Sequence, residues 1–510
     1  MTRWVAIAAG LVFLVSLPAV AQTITTPAPP VVPTVLPPEV EGKPVPVPDN
    51  SNSGKDEQEA DIPTDSPDSA DPASADPQAP SISHDLPAHF ATYLGGPGID
   101  DVVAVAITPA ANVVVAGRLQ GIAFGGQRVD LLEGAASLFI LPPDGKPLIS
   151  HTRVGSHLTD MAVSASSGRI AIAGGLGVAV LSPDATAFIW RDSLPVKASR
   201  VAIGSDDSVA LLDGKRVSLY DPAGRRLGRV DLDHAVVTDI EVDSENKLIF
   251  VTGFNNVRDV NSLAVQSAFV EAWDFDMNRV WKNWGYAGAQ LGNRTADTHG
   301  LRLTIGLDGE LYFLGEAAGG DSLFLKHPTI PAREGMLIFS DRYNTPVGPG
   351  RAVLAFFARL DPLTGRLKKA QYAFPRLGPD KLNRTNTFLP RAIAADELGN
   401  VFIGGVSGLG IPDRDKQTIS GTPVGTYGGD PTLLVVSADF QRRIRWTTLT
   451  AGGIGSHTRI DSIGVAHGLA VAGVTVRGGR LITVDPIVDK PDGGLSPKQT
   501  DGYVILWRAP

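Results

Sequence analysis

Six residues carry side chains suited to recognition or acid–base work in related contexts: Arg294, Asp297, His299, Arg384, Arg459 and Asp461. The segments LGNRT (291–295) and KLNRT (381–385) match closely, and GSHTRID (455–461) brings the same residue types together again. Guanidinium forks beside Asn amides suit carboxylate, sulfate or sugar-hydroxyl recognition. Asp, His and Arg converging in one concavity would instead suit a carbohydrate-active lyase or hydrolase, which needs an acid and a base across one bond. Plain turn chemistry accounts for the same residue types, with Asn and Thr closing turns and Arg pairing with a nearby Asp.

An Asp recurs close to each of these segments' strands: Asp100 and Asp101, Asp160, Asp239, Asp297 and Asp461. Ringed around a channel mouth, such carboxylates would gather a hard cation such as Ca²⁺. Arg200 and Arg391 at a similar level oppose a purely acidic ring. His157, His299 and His457 fall in repeat units that are not mutually adjacent, so a shared zinc site is not expected. The chain has no cysteine, which excludes thiolate nucleophiles, Cys-based zinc sites and disulfides. No nucleophile elbow, P-loop or dinucleotide fingerprint stands in the strand–helix context it needs. The residues therefore predict no catalytic set and no resident metal or cofactor, with Ca²⁺ the one open alternative.

The elements that must position these residues are short β-runs separated by Gly, Asp-Gly and Pro turns, with no long amphipathic helix. A strand–turn–strand unit starts at Val102, Met161, Val201, Ile240, Leu301, Ala392 and Ile463, and hairpins such as 217–231 and 433–449 follow. Four antiparallel strands repeated seven times predict an all-β, seven-bladed β-propeller over residues 89–510. The last unit ends at its third strand, Gly502–Trp507, so Phe90–Leu94 is expected to supply its fourth and close the ring. Extra length falls between second and third strands, at 118–136, 254–267, 316–351, 406–431 and 474–501. All of it is expected on one face, where it either forms a binding surface or covers blade edges.

FATYLGG (90–96) followed by GIDD (98–101), and DELGNVFIGG (396–405), resemble the bacterial seven-bladed β-propeller repeat (SBBP repeat) family. The resemblance spans residues 89–510 and weakens in the short second and third units. It implies a secreted or surface-exposed propeller and brings no catalytic residues with it.

Residues 1–21 read as a signal peptide: Arg3, an apolar run from Trp4 to Val15, then Ala19-Val20-Ala21. Residues 22–88 hold 15 prolines and 12 acids and read as a disordered, extended spacer. Without this leader the rest carries 42 acids and 42 bases, which gives no positive field for nucleic acid. The combined expectation is a secreted or periplasmic monomer, with no membrane span once the signal is cleaved. It would act as a non-enzymatic scaffold binding a protein or an extracellular polysaccharide. The alternative is the carbohydrate-active enzyme with its site at the channel mouth.

Overall fold

Period-2 apolar runs broken by turn residues leave the backbone one way to satisfy its hydrogen bonds, which is to pair strand with strand. A computed structural model describes residues 83–96, 98–119, 126–193, 198–346, 352–377, 384–452, 458–491 and 499–510. The segment expected to be a signal peptide and nearly all of the expected spacer lie outside the described residues. The chain is an all-β propeller whose described helices are short 3₁₀ turns such as Leu323–Leu325 and Arg414–Lys416. Among the described residues no helix is long and apolar enough to cross a membrane.

Seven sheets have four or five strands, and each starts with one of the expected units: Asp101–Ile107, Leu158–Val163, Ala198–Ile203, Val236–Asp243, Thr298–Ile305, Phe388–Ala395 and Arg459–Ala466. These inner strands touch in that order, and the last lies against the first. Blades are numbered below by these strands.

Among the described residues eight sheets, not seven, have three or more strands. The eighth joins Asp85–Leu86 to Thr418–Ile419 and Thr422–Pro423. It arises because the end of the leader pairs with the blade-6 insertion, so among the described residues the first strand starts at Asp85, ahead of the expected boundary at residue 89. The four-stranded sheet of blade 7 is composite. Ala88–Leu94 pairs antiparallel with Asp501–Arg508, with Phe90 opposite Leu506 and Leu94 opposite Gly502.

The core follows from the two-faced strands. Seven apolar clusters each draw on two consecutive sheets, as where Phe250, Phe313 and Phe356 join blades 4 and 5. One cluster combines Phe90, Leu94, Val504 and Leu506 with Val113, Val115 and Phe139, and so packs the composite sheet on blade 1. Seams also share a small device in which an outer-strand aromatic lies on a hairpin glycine of the next blade. A Cβ on Gly224 would meet the Trp190 ring at 2.6 Å, and one on Gly365 would meet Trp281 at 2.7 Å. Gly145, at φ 83°, faces Phe90 in the same way at 2.7 Å. The tryptophans at these seams are packing residues.

Four of the five insertions turn back over the outer edge of their own blade. In blade 1, Gln127–Leu132 pairs parallel with the outer strand Ser150–Gly155. In blade 5, Leu337 bridges Ala370. In blade 6, the Gln417 side-chain amide donates to the Trp446 carbonyl of the outer strand. In blade 7, Val484 bridges Ala91, and the Ile487 and Val488 N–H groups both reach the Thr92 hydroxyl. An uncovered outer strand is a template for foreign chains, and these segments occupy it. The expected single binding rim is thus divided, most of it serving as edge cover.

Candidate functional site

All seven inner strands break register once, at the same place. The pairing skips residues 103, 159, 199, 238, 301, 391 and 461, one β-bulge per blade near the channel mouth. The residues just past the bulge are Ala104, Asp160, Arg200, Asp239, Arg302, Ala392 and Ser462. Across blades 2 to 5 their charges alternate. Arg200 lies 3.7 Å from Asp160 and 3.4 Å from Asp239, and Arg302 lies 3.6 Å from Asp239.

Each polar member of this layer also holds the backbone of the next blade. Asp160 Oδ2 accepts the Val201 N–H at 3.0 Å, Asp239 Oδ2 accepts the Leu303 N–H at 2.8 Å, and Ser462 Oγ accepts the Val105 N–H at 3.0 Å. The guanidiniums do the converse with bulge carbonyls: Arg200 Nε donates to Thr238 and Arg302 Nε to Arg391. Burial pushes the Asp239 carboxyl above the usual range against the pull of Arg302 and Arg200. It pushes the Arg302 guanidinium down, with Arg200 adding to the effect. Blade-to-blade bracing is the chemistry this layer performs.

The recurring Asp does not form one ring. Asp160 and Asp239 follow the bulge, Asp461 is the bulge residue, Asp101 precedes it by two, and Asp297 lies four before it. A one-residue offset turns a strand side chain to the other face, so residues that look aligned in the sequence point different ways. Among the described residues no group of three or more His, Asp or Glu converges as a metal site.

The structure places the six expected residues in separate settings. Arg294 forms ion pairs with Asp321 at 2.5 Å and Glu334 at 3.1 Å, both from the blade-5 insertion. Asp297 Oδ1 accepts the Gln266 N–H at 2.7 Å. His299 lies 2.9 Å from Glu316 through Nδ1 and 2.6 Å from the Gln266 side chain through Nε2, with its ring against Phe254. Asp297 and His299 are therefore brought together through Gln266. Arg384 is exposed, and its carbonyl accepts the Leu377 N–H. Arg459 and Asp461 pair with each other at 2.6 Å. Arg294 and Arg384 are equivalent, each seven residues before its bulge. Arg459 is two before, which makes it the counterpart of His299. Residues 455–457 lie outside the described residues.

Two charged centres have no trace in the sequence motifs. Glu241 lines the channel two residues past Asp239 and has no ion-pair partner among the described residues. Burial is the main cause pushing its carboxyl up to about 8, with Asp239 and Asp160 adding to it. The second centre is the fully buried Glu271 in blade 4, held by His234 at 3.2 Å, Arg279 at 3.2 Å and Lys282 at 3.3 Å, with the Trp273 indole N–H donating as well. Burial raises its proton affinity, but His234, Lys282 and Arg279 together hold it below the ordinary glutamate range. Alternation in VTDIEVD (237–243) signals that Asp239 and Glu241 share one strand face. Nothing local links Glu271 to His234, 37 positions earlier.

Blade 4 handles its insertion differently from the others. Its second and third strands, Leu248–Arg258 and Ala264–Asp274, are 11 residues each and stay paired out to Arg258 and Ala264. At the tip Val260 is 56% exposed and Leu263 55%. Gln266, which engages Asp297 and His299, belongs to this hairpin. The turn carrying Arg294 meets it where the Gly288 N–H binds the Arg258 carbonyl.

No family model matches the chain, and no curated protein matches it. Solved structures similar to it include one described as the structure of U3-55K, at 11% identity and TM-score 0.47, covering 82% of this chain and 99% of that one. The crystal structure of RRP9 WD40 repeats has the same identity and score, over 83% and 99%. Kuenenia stuttgartiensis hydrazine synthase follows at 10% identity and TM-score 0.45, over 78% and 97%.

Proposed function

We propose that this chain is an exported, non-enzymatic binding module: a seven-bladed propeller, closed by the pairing of its two ends, that recognises a partner protein through the blade-4 hairpin. The observation that carries the reading is the hairpin itself. It is the one elaboration among the described insertions that stands clear of its blade edge, and it ends in the exposed apolar side chains of Val260 and Leu263. Loops displayed from a rigid scaffold are where recognition concentrates, and exposed apolar groups beside charged ones suit a protein partner. Arg294, Asp297 and His299 form the polar flank, with the blade-5 carboxylates Asp321, Glu334 and Glu316 interleaved. Arg384, Arg459 and Asp461 belong to the blade-6 and blade-7 part of the same face.

Export rests on the leader sequence, and the blade number on the resemblance to seven-bladed propeller repeats together with seven inter-sheet clusters. The non-enzymatic reading rests on dispersal. Arg294, Arg384 and the Arg459–Asp461 pair have separate neighbours, and only Asp297 and His299 share one, Gln266. A photo-crosslinking residue at position 260 or 263 of the full chain tests the reading in cells. One dominant protein adduct is expected, absent when the crosslinker sits at position 398 on a different turn. Binding to polysaccharide alone, or glycan cleavage abolished by His299→Ala, would replace it.

A further inference from the structure

The inner strands lay matching layers around the propeller channel, and one layer holds a single ionisable group. Two residues past the bulge residue plus one stand Ala106, Ala162 and Ala202 on blades 1 to 3, and Thr304, Ala394 and Gly464 on blades 5 to 7. Glu241 is the blade-4 member. All of them line one cavity of about 710 Å³, bounded by the inner strands of every blade.

We propose that this cavity is a binding site for a small organic amine, its ammonium group paired with Glu241 and its apolar body lying against the small side chains of the same layer. The site is distinct from the blade-4 hairpin. The volume lies within the range of small-molecule pockets, and such pockets combine apolar walls with a few placed polar groups. Alanine and glycine at five of the seven positions of the layer leave open a space that Val or Leu would fill. The charge is specific as well. Asp160, Arg200, Asp239 and Arg302 neutralise one another in the layer above, and Asp461 pairs with Arg459. Glu241 has no ion-pair partner among the described residues, and Thr304 is the member of its layer on the next blade. Asp243, Glu245, Glu397 and His467 lie toward the other end of the cavity, so an anionic ligand is disfavoured throughout. Among the described residues no Phe, Tyr or Trp lines the space, which argues for an ammonium that donates hydrogen bonds over a quaternary one held by ring faces.

Burial, then Asp239 and Asp160, raise the Glu241 carboxyl to about 8, against the Val242 and Ile305 N–H groups. At neutral pH it holds a proton, and an arriving ammonium ion displaces it. Binding therefore releases a proton below pH 8, and affinity climbs by about tenfold per pH unit there before levelling off.

Isothermal titration of the full chain with hexylamine tests this, alongside hexanol, hexanoate, tetramethylammonium and CaCl₂. Hexylamine is expected to bind once per chain at pH 8 and at least tenfold more weakly at pH 6.5, with proton release visible as a buffer-dependent heat. Glu241→Gln, which keeps a neutral side chain of the same shape, should fold as the parent does and lose tenfold or more in affinity. Ala162→Leu should lose binding by filling the space, and Leu263→Asp should leave it unchanged. The proposal is overturned by silence toward hexylamine at pH 8, equal binding of hexanol, undiminished binding by Glu241→Gln, or a Ca²⁺ response that Glu241→Gln abolishes.

Discussion

The Asp239 carboxylate accepts the Leu303 backbone N–H at 2.8 Å, across the boundary between blades 4 and 5. Asp160 holds Val201 in the same way, and Ser462 holds Val105. Wherever the residue after the bulge is polar, its side chain takes up a backbone group of the next blade's inner strand close to that blade's own bulge. Since every bulge falls at one level, these links form a belt near the channel mouth. Arg200 and Arg302 complete it by donating to bulge carbonyls.

Asp239→Ala should therefore be among the most damaging single changes in the channel. It orphans the Leu303 N–H and leaves two desolvated guanidiniums without their shared acid, a situation that costs about 3–5 kcal/mol. Ser462→Ala removes one neutral acceptor and should cost about 1 kcal/mol. Urea unfolding of the two variants checks the ranking, and equal costs would speak against the belt.

At the seam between the chain's ends, Gly145→Val should loosen the ring. The position has φ 83°, and a side chain there would collide with Phe90. A loss of about 2 kcal/mol or more is expected from strain and overpacking combined. Deleting residues 83–94 should go further, uncovering the Asp501–Arg508 edge and making the protein aggregate. Limited proteolysis and light scattering report both effects.

Two glutamates set opposite pH limits. Glu241 has a raised folded-state pKa of about 8, so keeping it uncharged favours the fold at low pH. Ionisation at higher pH then lowers stability progressively between its ordinary range and about pH 8. Glu271 has a lowered pKa, so its contribution is present above the ordinary glutamate range and is lost as pH falls through the folded value. Thermal melts from pH 3 to 9 should show Glu241→Gln flattening the decline between the ordinary glutamate range and about pH 8. Glu271→Gln, in contrast, should be destabilised mainly at neutral pH, where His234, Arg279 and Lys282 lose their acid.

Much of the fold is legible in the chain because its signals are local and repeated. Seven strand–turn–strand units fall where the inner strands form, and Phe90–Leu94 lies opposite Gly502–Trp507 as its spacing suggests. The leader's last residues escape such reading, since Asp85–Leu86 pairs with Thr418–Ile419 more than 300 positions away. The site was less legible. Arg459 looks like Arg294 in sequence yet stands five register places nearer its bulge, and a bulge leaves no residue signature of its own. The insertions are visible as extra length, but whether they project or fold back depends on which outer edges need covering.

The central claim is that the recurring inner-strand charges brace blade to blade instead of gathering a ligand ion. Melting temperatures of the full chain and of Asp239→Asn, each with and without millimolar Ca²⁺, test it most directly. Bracing predicts a large drop for the variant and no Ca²⁺ shift in the parent. A Ca²⁺-dependent rise in the parent that Asp239→Asn abolishes would contradict it.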